Sequence, residues 1–195
     1  MSPRTYQSER RQAATTETRR RILEAARSML RSANGAAFTI DAVAEHANVA
    51  RMTVYYQFGS KPGLIAALSD DLASRGGIGR LPEAFKVPDP MVGLEILTNV
   101  FMHLWESERL VIQRLRSLSV LDPDFKDQED RNQRRRHAIS VLLGRLSPPR
   151  TDLDDVGGLL TAMTSFETYE TLADSGRDAA ACARLISAAT RKLLV

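Results

Sequence analysis

Arg51 and Tyr55 stand four residues apart, and so do Met52 and Tyr56. In a helix that spacing puts each pair on one side and the two pairs next to one another. The shared face offers one cation and two phenols near a helix N-terminus, with Thr53 beside them. Val54 and Phe58, again four apart, fall on another side and are suited to packing inward. Such a helix fits a DNA major groove, its first turns at base edges and its flanks on phosphates. Arg51, Tyr55 and Tyr56 are the expected DNA contacts, with Met52 and Thr53 near base edges and thymine methyl groups. Thr39 and Lys61, at the two ends of the surrounding segment, are placed to hold phosphates. Tyr55 is expected to be partly buried, with its hydroxyl reaching outward.

Holding that face in place requires a small scaffold. Residues 39–61 read as two short helices joined by a tight turn. Thr39 caps the first of them, and Asn48 tolerates the left-handed conformation that the turn demands. A preceding helix over about 17–32 repeats Ile22, Leu23, Ala26, Met29 and Leu30 at helical spacing and stops at Asn34-Gly35. Ser60 caps a fourth helix, with Pro62 in a first turn that needs no amide, and Leu64, Ile65, Leu68 and Leu72 continue it.

The run Val49-Ala50-Arg51-Met52-Thr53-Val54-Tyr55-Tyr56-Gln57-Phe58-Gly59-Ser60-Lys61 resembles the signature of TetR-type transcriptional regulators. Arg21-Ile22-Leu23-Glu24-Ala25-Ala26 is similar to that family's first helix, at the usual spacing to Phe38-Thr39. The strong resemblance covers about residues 18–72. Two positions depart from the pattern: Asn48 stands where a turn glycine is usual, and Ala50 where a serine hydroxyl is common. The resemblance implies a DNA-binding regulator, usually a repressor, that works as a homodimer and answers to a small molecule. The motif positions named above are also those that the family places on DNA.

Charge distribution agrees with a nucleic-acid partner. Residues 1–61 hold ten Lys/Arg against five Asp/Glu, a net of +5, while the remainder carries seventeen against nineteen. Residues 1–16, with Arg4, Arg10 and Arg11 and little that is apolar, are expected to be a mobile basic arm. The expected division is therefore an arm over 1–16, a helix-turn-helix domain over 17–61 and a ligand-binding and dimerisation domain over 62–195. Cys182 has no partner for an intramolecular disulfide and reads as a small buried thiol in an Ala-rich helix. No signal-peptide core or membrane-length apolar run is present, and the expected location is cytoplasmic.

The remaining chain reads as all-α. After a Gly- and Pro-containing connector over about 75–89, helices are expected over 90–106, 108–121, 123–146, 152–173 and 178–194. Asp122-Pro123 suits a helix start. The connector lacks the Gly-Lys-Ser/Thr ending of a phosphate loop. His46, His103 and His137 lack acidic neighbours at metal spacing, no Glu-x-x-His or Gly-x-Ser-x-Gly occurs, and neither an enzyme activity nor a metal or cofactor is expected. Asp127 before Arg131 and Asp130 before Arg134 make the Arg134-Arg135-Arg136 run an internally paired, solvated face.

The helix over 90–106 is apolar nearly all round and must be central in its domain. Asn99 and His103 align on it, so both are expected to point into the bundle. Either they satisfy one another and nearby backbone, or they line a cavity and orient a ligand. Met102, Trp105, Met163, Phe166 and Tyr169 could wall such a pocket, or serve as plain core. The last two helices carry more apolar surface than a bundle of this size hides, and the resemblance assigns them to a four-helix dimer interface. Leu159, Phe166, Leu185 and Ala189 are the candidates there. The expected function is a homodimeric regulator released from a palindromic double-stranded DNA operator by a mostly apolar effector. The competing reading is a helical-bundle adaptor, or a small-molecule-binding dimer, without DNA binding.

Overall fold

The computed structural model describes residues 3–32, 38–121, 128–147 and 152–194, without the side chains of residues 3–11, 119–121 and 128–130. Among the described residues every regular element is a helix. The chain divides into two compact units, one within residues 1–71 and 110–125, the other within 72–109 and 126–195. The first unit thus includes most of one helix beyond residue 61 and nearly all of another.

In the first unit, α1 (Pro3–Arg31), α2 (Ile40–His46), α3 (Arg51–Phe58) and most of α4 (Lys61–Arg75) enclose a core with α7 (Arg109–Leu121). Ile22, Ala26, Val43, Val54, Leu64, Leu68 and Val111 are the fully buried members. The beginning of α1 corrects an expectation. Helix starts at Pro3 rather than near residue 17, so residues 3–16, expected as a mobile arm, are helical. Pro3 suits a first helical position, and no glycine or further proline interrupts this 29-residue helix. Thr16 and Thr18 turn their hydroxyls onto the carbonyls of Gln12 and Ala14, both at 2.9 Å, instead of breaking the helix. Arg114 of α7 donates to the carbonyls of Leu30 and, at 2.6 Å, Ser32, which occupies acceptors left at the end of α1.

The second unit is built on α6 (Pro90–Ser107), which packs against α5 (Glu83–Lys86), α8 (Gln128–Leu143), α10 (Phe166–Asp174) and α11 (Ala179–Leu194). α8 packs in turn on α9 (Leu153–Met163). The helix start expected at Asp122-Pro123, with Asp127, lies outside the described residues. The helix expected over 152–173 is two helices, broken at Thr164-Ser165. Ser165 caps α10 by accepting from the Thr168 amide at 3.2 Å, and the Trp105 indole donates to the freed Thr164 carbonyl at 3.0 Å. Cys182 is fully buried, and burial pushes its thiol above the ordinary range.

Three expectations about side-chain direction are overturned in this unit. Asn99 and His103 face outward, and Asn99 donates to the Glu95 carbonyl of its own helix at 2.8 Å. The central helix α6 keeps one open edge, where Val92 is also exposed. Phe166, expected at a dimer surface, is only 2% exposed, with its ring edge-on to Trp105 at 5.7 Å. Arg135, expected on a solvated face, is buried and lies over the rings of Phe101 and Trp105 at 5.5 and 5.9 Å, donating to Asn132. Each error has one cause: helical spacing groups residues on a face without saying which neighbour covers it.

Gly93 marks a close approach in this unit. A Cβ there would sit 2.6 Å from the Ala84 carbonyl oxygen and 2.8 Å from a Leu142 methyl. Gly93→Ala should therefore lower stability by about 1–3 kcal/mol through overpacking. Thermal melts would show it, and an unchanged melt would mean that α5 and α8 move aside freely.

Candidate nucleic-acid interface

The helix-turn-helix begins at Thr39, whose hydroxyl oxygen accepts from the Ala42 amide at 3.2 Å and caps α2. That bond leaves the hydroxyl proton available to an outside acceptor. The turn to α3 closes through Ala47 onto Val43 at 2.9 Å and Val49 onto Ala44 at 3.0 Å, with Asn48 at φ 51°. Asn is among the few L-residues at ease in that conformation. Ala50 precedes α3 without a side-chain cap, as expected where a hydroxyl is missing.

Two arginines of α1 hold α3 at both ends, and local spacing gave no sign of them. Arg21 donates to the carbonyls of Ala47 and Asn48 in the turn, at 2.6 and 3.2 Å. Arg19 donates to the Gln57 carbonyl at 2.8 Å, and its guanidinium stacks 4.3 Å from the centre of the Phe58 ring. After α3, the Gly59 amide returns to the Tyr55 carbonyl at 2.7 Å. Ser60 then caps α4 by accepting from the Gly63 amide at 3.1 Å. A Cβ on Gly63 would stand 2.1 Å from the Phe58 carbonyl oxygen, so only glycine permits this turn between α3 and α4.

Within that frame α3 is divided. Val54 has no exposure, whereas Met52 is 71% and Tyr56 84% exposed. Arg51 is exposed, Thr53 and Tyr55 are half-buried, and Met52, Thr53, Tyr55 and Tyr56 line a shallow open depression on the surface. Arg51 donates to the Tyr55 hydroxyl oxygen at 3.3 Å and to an Asp41 carboxylate oxygen at 3.1 Å. The Tyr55 bond first, and then the Asp41 charge, hold the guanidinium more firmly protonated than usual. Lys61 is half-buried at the first position of α4. Thr39, Arg51, Met52, Thr53, Tyr55, Tyr56 and Lys61 thus all belong to one compact unit. Asp41 joins them as a residue that sequence reasoning left out; its place in the first turn of α2 was the available signal.

Residues 22–68 match the family described as bacterial regulatory proteins, tetR family. The HTH-type transcriptional regulator AlkX of Mycobacterium tuberculosis is 28% identical across 74% of this chain and 82% of its own length. Residues 22–68 thus form a DNA-binding region of TetR type. Solved structures share its fold. A TetR-like transcriptional regulator from Rhodococcus sp. RHA1 superimposes with a TM-score of 0.69 at 18% identity, covering 91% of this chain and 95% of that one. A TetR transcription regulator from Haloarcula marismortui gives 0.66 at 18% identity, covering 91% and 96%. A transcriptional regulator from Saccharomonospora viridis, solved in complex with choline, gives 0.66 at 19% identity, covering 88% and 94%. The chain is a transcription regulator with a DNA-binding helix-turn-helix. No helix among its described residues is long and apolar enough to cross a membrane.

Arg21→Ala removes the clamp on the turn without touching the exposed face of α3. It should cost about 1–2 kcal/mol, since one side chain serves two backbone carbonyls. The loss would appear in a thermal melt, together with faster amide exchange across residues 47–58. Exchange that quickens in the second unit alone would contradict the assignment.

Proposed function

We propose that the chain is a homodimeric repressor that reads a palindromic double-stranded DNA operator and leaves it when a small, mostly apolar effector binds. One observation carries the DNA reading. α3 buries Val54 completely yet leaves Met52 and Tyr56 almost bare, two large side chains beside a cation. Water is a poor setting for that face and a major groove is a good one, with thymine methyls for Met52 and phosphates or base edges for the phenols. In this reading Arg51, Met52, Thr53, Tyr55 and Tyr56 meet the groove, while Thr39 and Lys61 hold phosphates at either end.

Leu159 is 51% and Leu185 44% exposed, and Ala189 is also exposed, all on α9 and α11 of one unit. These residues are the proposed dimer surface. Phe166 is withdrawn from it because its ring is engaged in the interior. A two-fold interface uses the same patch on both copies and sets two recognition helices at a fixed separation. Successive half-sites on one face of DNA lie about 34–36 Å apart, or a multiple of that.

The effector reading rests on the second unit. Met102, Trp105, Phe166 and Tyr169 form a buried, largely aromatic interior, with Met163 half-buried nearby. The choline in the Saccharomonospora viridis structure supports small-molecule binding within this fold. Asn99 and His103 are not part of that interior and are not proposed as effector contacts. α4 runs from the DNA-reading unit, its residues from Leu72 belonging to the other. An effector that favours one placement of α4 would lower operator affinity by its difference in affinity for the two states.

Selection from a random duplex pool should enrich an inverted repeat, with affinity falling steeply as salt rises because phosphate contacts release counterions. Lys61→Ala should weaken binding evenly over all sequences and reduce the log–log salt slope by about one, whereas Arg51→Ala should cost about 1–3 kcal/mol at one base pair per half-site. A pool that yields no motif would refute the operator reading. For assembly, Leu185→Glu should give a folded monomer that has lost its operator affinity. A wild-type protein that scatters light as a monomer at micromolar concentration would refute the dimer.

A further inference from the structure

We infer that Asp41 is a positioning residue for operator readout: it holds the Arg51 guanidinium toward one base pair and keeps it off the phosphate backbone. The inference rests on the proposal that Arg51 meets a base edge.

Arg51 is the first residue of α3, and Asp41 lies in the first turn of α2. The guanidinium is held from two directions. One Nη donates across to Asp41 at 3.1 Å, and the other donates along α3 to the Tyr55 hydroxyl at 3.3 Å. The Tyr55 ring supplies a third contact, its centre 5.5 Å from the guanidinium carbon. Arg51 therefore leans on a phenol of its own helix and on a carboxylate of the preceding one.

Stability does not account for this arrangement. The Arg51 and Asp41 side chains are 57% and 63% exposed, and exposed ion pairs contribute little. Capping does not account for it either, because Thr39 already caps α2. An acid in the first turn of a helix is mildly favourable on its own, but that effect needs no arginine. Against DNA, a carboxylate beside the reading helix repels a polyanion, so it lowers affinity for every sequence. What it gives in return is selectivity. An arginine already facing a carboxylate gains less from a phosphate, and its planar fork of five donors keeps unused N–H groups. Those groups suit O6 and N7 of a guanine, a contact that depends on the plane being fixed in advance.

The test uses the full chain as wild type, Asp41→Ala, Asp41→Asn, Arg51→Ala and the Asp41→Ala/Arg51→Ala double variant. Each is measured on the selected operator, on its single-base variants and on unrelated duplex. Asp41→Ala should bind unrelated duplex more tightly, with a log–log salt slope steeper by about one as Arg51 takes a phosphate. It should also lose about fivefold or more in discrimination, at the same base pair that Arg51→Ala relaxes. In the Arg51→Ala background the Asp41 substitution should change nothing further at that base pair. Asp41→Asn keeps an oxygen acceptor and should recover much of the discrimination while still binding unrelated duplex too well.

Relaxation at a different base pair, or relaxation that persists without Arg51, would mean that Asp41 touches DNA itself and would overturn the inference. A lower melting temperature with discrimination unchanged would reduce Asp41 to a helix-terminus charge and overturn it as well. If Arg51→Ala relaxes no base pair, the base-reading proposal fails first and this inference falls with it. If Arg51→Ala relaxes one and Asp41→Ala does not, this inference fails alone.

Discussion

An eight-residue helix has too few hydrogen bonds to hold itself together in water, and everything this protein does with DNA depends on such a helix. α3 has one fully buried side chain, Val54, and no side-chain cap at its start. Its position is therefore imposed from outside. Arg19 and Arg21 stand two positions apart on α1, a spacing that splays side chains instead of stacking them. They use that splay to reach opposite ends of α3, one at its last carbonyls and the other at the turn before it. Cations satisfying helix-end carbonyls hold the backbone while leaving the outward side chains untouched.

That division of labour lets α3 carry surface that a free helix could not carry. Met52 and Tyr56 contribute nothing to the fold, and Arg51 is tied to Asp41 and Tyr55 rather than to the core. The turn into α4 is equally constrained, since Gly63 leaves no room for a side chain against the Phe58 carbonyl. A rigid frame with a bare, apolar and cationic face is what a reader of base edges requires. The family match over residues 22–68 and this geometry meet at the same few residues.

The second unit spends its apolar residues differently. Its aromatic rings run inward, from Phe101 through Trp105 and Phe166 to Tyr169, and a buried arginine sits against the first two. The break at Thr164-Ser165 makes this possible. It frees the Thr164 carbonyl for the Trp105 indole and starts α10 at Phe166. Aliphatic side chains, Leu159 and Leu185 among them, remain outside. Ion pairs tie the edges, with Arg109 on Glu170 and Asp174, and Arg191 on Glu95.

Local chemistry was readable in the sequence wherever the deciding partners lie within a few residues. The caps at Thr39 and Ser60, the left-handed Asn48, the buried Val54 and the all-helical class all follow from short-range sterics and spacing. The α10 start had a local signal as well, Ser165 before Glu167, but an unbroken run of small and apolar residues concealed it. Tertiary structure alone decided which face of each helix is covered. Asn99 and His103 share a side, as their spacing requires, yet that side is the open edge of α6; Phe166 shares its helix with exposed residues and still turns in. The clamps of Arg19 and Arg21 span 38 and 26 residues, and the Trp105 bond spans 59. Helical period fixes angles around one axis, and the azimuth of that axis against its neighbours is set by packing that no local window contains.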